Sequence, residues 1–166
     1  EISNFLVSVD VIDSKGNHKT LNPDNLKFQY RSSSFSSNDF IISACFKLEK
    51  STEKNIKHKK KIASDGRIKT QPLKYRSAGS VFKNPNSMLA AGFLIDKSGL
   101  KGTVCGDAEI STHHANFFIN HGTARAKDIA HLIKLSRMSI FERFGIMLDL
   151  EIKTIGFKNK ELFPYD

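Results

Sequence analysis

The chain has 166 residues, 39% of them hydrophobic and 26% charged, with 13 Phe and no Trp, which is the composition of a folded globular chain and excludes disorder as the whole answer. No apolar run approaches the roughly 18 residues of a spanning helix, and Glu1-Ile2-Ser3-Asn4 lacks the basic and apolar regions of a secretory signal, so no membrane partner is expected. Twenty-six basic against 17 acidic side chains leave a net charge of +9, which attracts phosphates without saying whose.

In chain order, Phe5 to Ile12 predicts a strand, and Ser14-Lys15-Gly16-Asn17 the turn of a hairpin. Asn22-Pro23-Asp24 breaks the chain, a serine-rich loop covers Ser32 to Asn38, and Phe40 to Leu48 predicts a second strand. Ser51 to Ile62 is charged and helical, closed by Asp65-Gly66. Ser87 is a plausible N-cap for a helix from Met88 to Ser98, with Gly99 after it. Asn116 to Asn120 predicts a short buried strand. A helix opens at Thr123 or Ala124, keeps Ile129, Ile133, Ile140 and Phe144 at helical spacing and stops at Gly145. Ile146 to Gly156 predicts a final strand with Ile146, Leu148, Leu150 and Ile152 inward.

Together these predict an α+β fold, a mixed or antiparallel sheet with packed helices, in which residues 1–70 and 146–166 share one sheet and residues 71–145 form an inserted subdomain. Cys45 and Cys105 lie far apart with no metal spacing, so both are expected as free thiols in a reducing, cytoplasmic compartment, and no metal is expected. Lys54, Lys57, Lys59, Lys60 and Lys61 surround His58 without interleaved aromatic side chains. That pattern suits a solvated helix face better than a base-stacking platform, and no nucleic-acid partner is expected.

Four places could carry chemistry. Gly79-Ser80, between Tyr75-Arg76 and Lys83-Asn84, offers a hydroxyl, a cation and an amide on a backbone that can approach a ligand; it also reads as a plain turn. Glu151 is either an exposed edge carboxylate or, if covered, a general acid with a raised pKa. Arg31, beside hydroxyls, could grip a carboxylate with two hydrogen bonds or simply face solvent. His113 and His114 point opposite ways on an extended chain and make a poor metal pair, so one of them binding by hydrogen bond is the expectation.

The order Tyr30-Arg31-Ser32-Ser33, Gln71-Pro72, Ala78-Gly79-Ser80-Val81-Phe82-Lys83-Asn84-Pro85, Ala91 to Asp96, Gly99-Leu100-Lys101-Gly102, His114-Ala115-Asn116-Phe117 and Leu150-Glu151 closely resembles the UDP-N-acetylenolpyruvoylglucosamine reductases of peptidoglycan precursor synthesis, from about residue 5 to residue 156. The short stretch between Pro85 and Gly92 resembles the shorter of the family's two types. The resemblance implies an oxidoreductase in which NADPH reduces FAD and hydride then passes to the enolpyruvyl double bond of UDP-N-acetylglucosamine enolpyruvate. It implies Ser80 as proton donor, with Arg31 and Glu151 stabilising the enolate. Tyr30, Asn84, His114 and Lys83 then fall at or beside substrate-contacting positions, and Lys69 near a basic one.

One departure stands at the front. The family carries a Pro-Gly-x-x-Gly-Gly pyrophosphate loop in an N-terminal flavin domain, whereas none of Pro23, Pro72, Pro85 and Pro164 precedes a glycine. The expectation is a C-terminal catalytic and substrate-binding part that lacks the FAD pyrophosphate-binding domain, partners with it, and alone holds FAD weakly or not at all. A non-catalytic nucleotide-sugar binding module is the alternative.

Overall fold

The structure, a computed structural model, describes residues 1–157 and 159–162. They form two compact units, Glu1–Lys57 and His58–Asp166, and the fold is α+β with antiparallel sheets, as the patterning predicts. Among the described residues no helix is long and apolar enough to cross a membrane.

The first unit holds β1 (Leu6–Ile12), β2 (His18–Leu21), β3 (Phe28–Gln29), β4 (Ser32–Ser33) and β5 (Phe40–Phe46). The expected hairpin joins β1 to β2, its turn held by the Asp13 carboxylate, which accepts the N–H groups of Lys15 and Asn17 at 2.9 Å. β1 lies between β2 and β5. Its alternation buries Val9 and Val11 against Leu26, while Asp10 faces the other way and ties all three strands: its carboxylate accepts the hydroxyls of Thr20 at 2.7 Å and Ser43 at 2.6 Å. β5, apolar as the sequence reads, is exposed at all seven positions.

Helix α1 (Glu53–Thr70) crosses the boundary between the units and buries no side chain. It runs through Asp65-Gly66 instead of stopping there. A mid-helix glycine costs only about 1 kcal/mol, whereas Pro72 bars helical geometry at the residue before it, and α1 ends just ahead of that point.

In the second unit, β6 (Arg76–Ser80), β7 (Val104–Cys105), β8 (Ala108–Ile110) and β9 (Phe117–Asn120) pair in the order β6-β9-β8-β7. α2 (Ala91–Lys97) and α3 (Ala126–Phe144) pack on one core, where Leu94, Ile95, Leu132, Ile133 and Ile140 meet Phe82, Ile110 and Phe118. Gly145, with φ 67°, ends α3 as expected. Two local expectations shift. α3 opens at Ala126, not at Thr123 or Ala124. α2 starts at Ala91 and not at Met88, because its first N–H is taken by Asn84, while Met88 donates to Asn86 in a local turn and stands exposed.

The larger correction concerns the last segment, which does not join the first sheet. Residues 146–157 lie with the second unit, where Leu148 is fully buried. They form no strand, only an isolated antiparallel bridge between Phe82 and Leu150. The apolar alternation is real, but it is satisfied by burial of an extended segment against the core, not by a ladder. A turn of helix at Asn159–Leu162 follows, with Leu162 buried against the same core.

Candidate functional site

The site begins with one surplus residue in β6. Ser77 pairs with Ile119 and Ser80 with Phe117, so three steps on β6 answer two on β9, and Gly79 absorbs the bulge at φ 85°. Only glycine enters that region freely, and bulges re-aim the residue that follows. Ser80 thus ends β6 half-buried, immediately before Val81 and Phe82 dive into the core.

Beyond Ser80 the backbone ladder is replaced by a side chain. The Asn116 carboxamide accepts the Phe82 N–H at 2.9 Å and donates to the Phe82 carbonyl at 2.8 Å, and the Asn116 carbonyl takes the Val81 N–H at 2.8 Å. On the opposite flank the Glu151 N–H donates to the Val81 carbonyl, and the Lys83 N–H to that of Asp149, each at 2.8 Å. The stretch after Ser80 is therefore held from both edges.

Asn116 also touches His114, its N–H donating to Nδ1 at 3.2 Å. Nδ1 then serves as acceptor, and the neutral ring carries its proton on Nε2. Burial pushes the His114 pKa below its ordinary value, and the charges of Lys101 and His113 add to the shift. The His114 ring packs edge-on against Phe117 at 4.9 Å between centroids. On its other side Gly92 lets α2 come close: a Cβ there would lie 3.3 Å from His114 Cε1 and 3.5 Å from Asn116 Cβ.

These segments enclose a cleft of about 330 Å³ lined by Ser80, Asn84, Gly92, Phe93, Asp96, Lys101, His113, His114 and Asn116. At its rim Lys101 Nζ meets Asp96 at 2.9 Å. Asn84 closes one end, its Oδ1 accepting the Ala91 N–H at 3.1 Å. Ser80 also borders a second cleft of about 410 Å³, with Arg67, Gln71, Tyr75 and Phe117. The hydroxyl-bearing residue is thus shared by two concave surfaces of the second unit.

Of the residues singled out by sequence, Ser80, Asn84 and His114 come together in one cleft. Glu151 is half-buried and joins the same unit through Val81, one residue from Ser80. Lys83 is half-buried beside it, and Lys69 stands exposed in the last turn of α1. Tyr30 and Arg31 form the tip between β3 and β4 in the first unit. Arg31 is the one non-glycine residue with positive φ, 54°, among the described residues, and its guanidinium lies 5.3 Å from the Tyr30 ring centroid. It borders a mainly apolar cleft of about 510 Å³ with Phe28, Phe35 and Phe46. A bulky residue held in that backbone region is uncommon and costs about 1–3 kcal/mol. Reasoning from sequence passed over Asn116, Gly92, Lys101 and Asp96 as individual residues. An amide opening an apolar run, Asn116-Phe117-Phe118-Ile119, was the signal for the first.

An antiparallel α+β unit with a bulged serine at a polar cleft defines the class to which the second unit belongs. Residues 71–155 match the family described as UDP-N-acetylenolpyruvoylglucosamine reductase, C-terminal domain, and the chain belongs to that family. It is 40% identical over 156 residues to the UDP-N-acetylenolpyruvoylglucosamine reductase of Rickettsia canadensis (strain McKiel), covering 94% of this chain and 52% of that protein. The reductase of the same name from Clostridium novyi (strain NT) is 41% identical over 157 residues, covering 94% and 51%. The crystal structure of UDP-N-acetylenolpyruvylglucosamine reductase from Thermus caldophilus superposes with a TM-score of 0.78 at 35% identity, covering 91% of this chain and 53% of that one. The chain spans about half the length of the curated relatives it matches.

Proposed function

We propose that this chain is the substrate-binding and catalytic part of a reductase that converts UDP-N-acetylglucosamine enolpyruvate to UDP-N-acetylmuramate, with NADPH, by way of FAD, supplying the hydride. One observation carries the reading: Ser80 and Asn84 from one segment and His114 from another line a single polar cleft, in a chain that matches this reductase family. The residues present do not fit the whole of FAD. The chain has no adjacent glycines and no Pro-Gly-x-x-Gly-Gly loop to cradle a pyrophosphate, so that task falls to the half of the relatives' length that this chain does not match.

The roles of the chain's own residues follow from the substrate. Adding hydride to the β carbon of an unsaturated carboxylate leaves an enolate, and the α carbon then needs a proton. Ser80 delivers that proton from its hydroxyl. The Arg31 guanidinium offsets the charge that develops on the carboxylate, and Glu151 shares it by hydrogen bond. Asn84 and His114 hold the nucleotide-sugar, Tyr30 and Lys83 flank the reacting end, and the positive net charge favours a diphosphate. Lys69 adds to that field. The soluble precursor chemistry belongs in the cytoplasm.

Replacing Ser80 by Ala in the complete reductase should leave flavin reduction by NADPH within twofold and slow substrate reduction by about 10²–10⁴, the usual worth of a positioned acid. Both half-reactions surviving unchanged would remove the proton-donor role. Binding of the UDP-sugar with no turnover in the complete enzyme would favour a non-catalytic binding module instead.

A further inference from the structure

Asn116 engages three residues on two different segments, Val81 and Phe82 on one and His114 on the other, with its carboxamide and both of its backbone groups. Its carboxamide pairs with both the N–H and the carbonyl of Phe82, its carbonyl takes the Val81 N–H, and its own N–H fixes His114 Nδ1. The amide orientation is unambiguous, since the reverse flip would set NH₂ against N–H and oxygen against oxygen. The residue is 4% exposed, so these bonds form away from competing water and are costly to leave unmade. On the β6 side, the bulge at Gly79 leaves Ser80 without a regular ladder before it. Its placement then depends on how Val81 and Phe82 are held after it.

We propose that Asn116 is a positioning residue that sets two features of the cleft at once: the location of the Ser80 hydroxyl, through Val81 and Phe82, and the tautomer of His114, which leaves Nε2–H as a donor. No hydrogen bond to Nε2 is made among the described residues, so this N–H is open to an acceptor oxygen of the ligand. The consequence is specificity of a particular kind. A cleft with its imidazole locked as an Nε2–H donor recognises a carbonyl or phosphoryl oxygen and disfavours a ligand that presents a donor at that point.

The proposal rests on the reductase reading for its kinetic arm and is independent of that reading for its spectroscopic arm. Asn116→Asp keeps an acceptor for the Phe82 N–H but removes the donor to the Phe82 carbonyl. In the complete reductase, the expected result is flavin reduction by NADPH within twofold of wild type and substrate reduction slowed about tenfold to a hundredfold, the effect of misplacing a reacting group by a fraction of an ångström to an ångström. Equal slowing of both half-reactions, or no slowing of either, overturns the positioning role.

If the variant does not fold, the wild-type chain still decides. Long-range ¹H–¹⁵N correlation should show His114 as the Nε2–H tautomer, and the Asn116 side-chain NH₂ should exchange slowly. A His114 ring protonated on Nδ1, or an Asn116 amide exchanging as fast as a surface one, overturns the claim whatever the activity. Correct spectra in a chain whose complete enzyme shows no turnover overturn the reductase reading and leave the geometry of Asn116 standing.

Discussion

Asn84 reaches seven residues along the chain, and its side-chain oxygen accepts the N–H of Ala91, the first residue of α2, at 3.1 Å. The bond ties the end of the Ser80 strand to the helix that forms the opposite wall of the cleft. It also explains why α2 does not begin at Ser87, the residue whose chemistry best suits a cap. A capping oxygen need not come from the preceding residue.

Removing that oxygen gives the first prediction. Asn84→Ala should destabilise the second unit by about 1 kcal/mol, the usual worth of a capping side chain, while Asn84→Asp retains the acceptor and most of the stability. Urea denaturation of both variants compares them directly. Equal losses in both would mean that the Ala91 N–H is not what Asn84 serves.

Gly106 sets the start of α3. Its φ is 56°, and a Cβ there would fall 2.6 Å from Oδ2 of Asp128, the carboxylate that accepts the Arg125 N–H at 2.8 Å. Gly106→Ala must both enter the left-handed region and displace that carboxylate. A loss of about 2 kcal/mol or more is expected, from roughly 1 kcal/mol of backbone strain plus the broken helix-start bond. A variant as stable as the parent in thermal denaturation would contradict this contact.

Much of this framework was legible in the sequence, and the exceptions share a cause. The β1–β2 hairpin, β5, β9 and the α3 stripe announce themselves because their period is carried by side chains within each element. Ile146 to Ile152 alternates just as cleanly, yet forms one bridge to Phe82. Periodicity reports which side chains are buried, and burial alone does not supply a neighbouring backbone. Asn116 was illegible as a structural residue for the converse reason: its side chain stands in for a strand, and nothing in a linear pattern marks that substitution. Ser80, Asn84 and His114 were readable through motif order, while the bulge that aims Ser80 appears only in the pairing register.

Acid should weaken the fold through the carboxylates that accept hydrogen bonds. The hydroxyls of Ser43 and Thr20 hold Asp10 below its ordinary pKa, and the backbone and hydroxyl of Thr123 do the same for Asp107. Since the folded-state pKa lies below the unfolded one, the unfolded chain binds more protons in acid. The contribution is complete above the unfolded value near 4 and fades as pH falls through the folded value. Asp10→Asn should therefore flatten the acid limb of stability against pH for the first unit. An unchanged limb would show that Asp10 carries no such linkage.

His114 obeys the same sign for a different reason. Burial first, then the Lys101 and His113 charges, depress its pKa, so the neutral ring is the folded form at pH 7. Stability linked to it is complete above the unfolded value near 6.5 and is lost as pH falls through the folded one. Asp96, paired with Lys101 at 2.9 Å, is the acidic group at the same rim and partly offsets the lysine. Titration of the His114 ring by NMR should give a midpoint below the ordinary histidine value near 6.5. A higher midpoint would reverse the assignment of a neutral donor to the cleft.

The most direct measurement is amide and side-chain chemical-shift mapping of the 166-residue chain titrated with UDP-N-acetylglucosamine. Saturable shifts concentrated at Ser80, Asn84, Gly92, His114 and Asn116 are the predicted result. Shifts confined to the first unit, or to the basic face of α1, would contradict a nucleotide-sugar site at the end of β6.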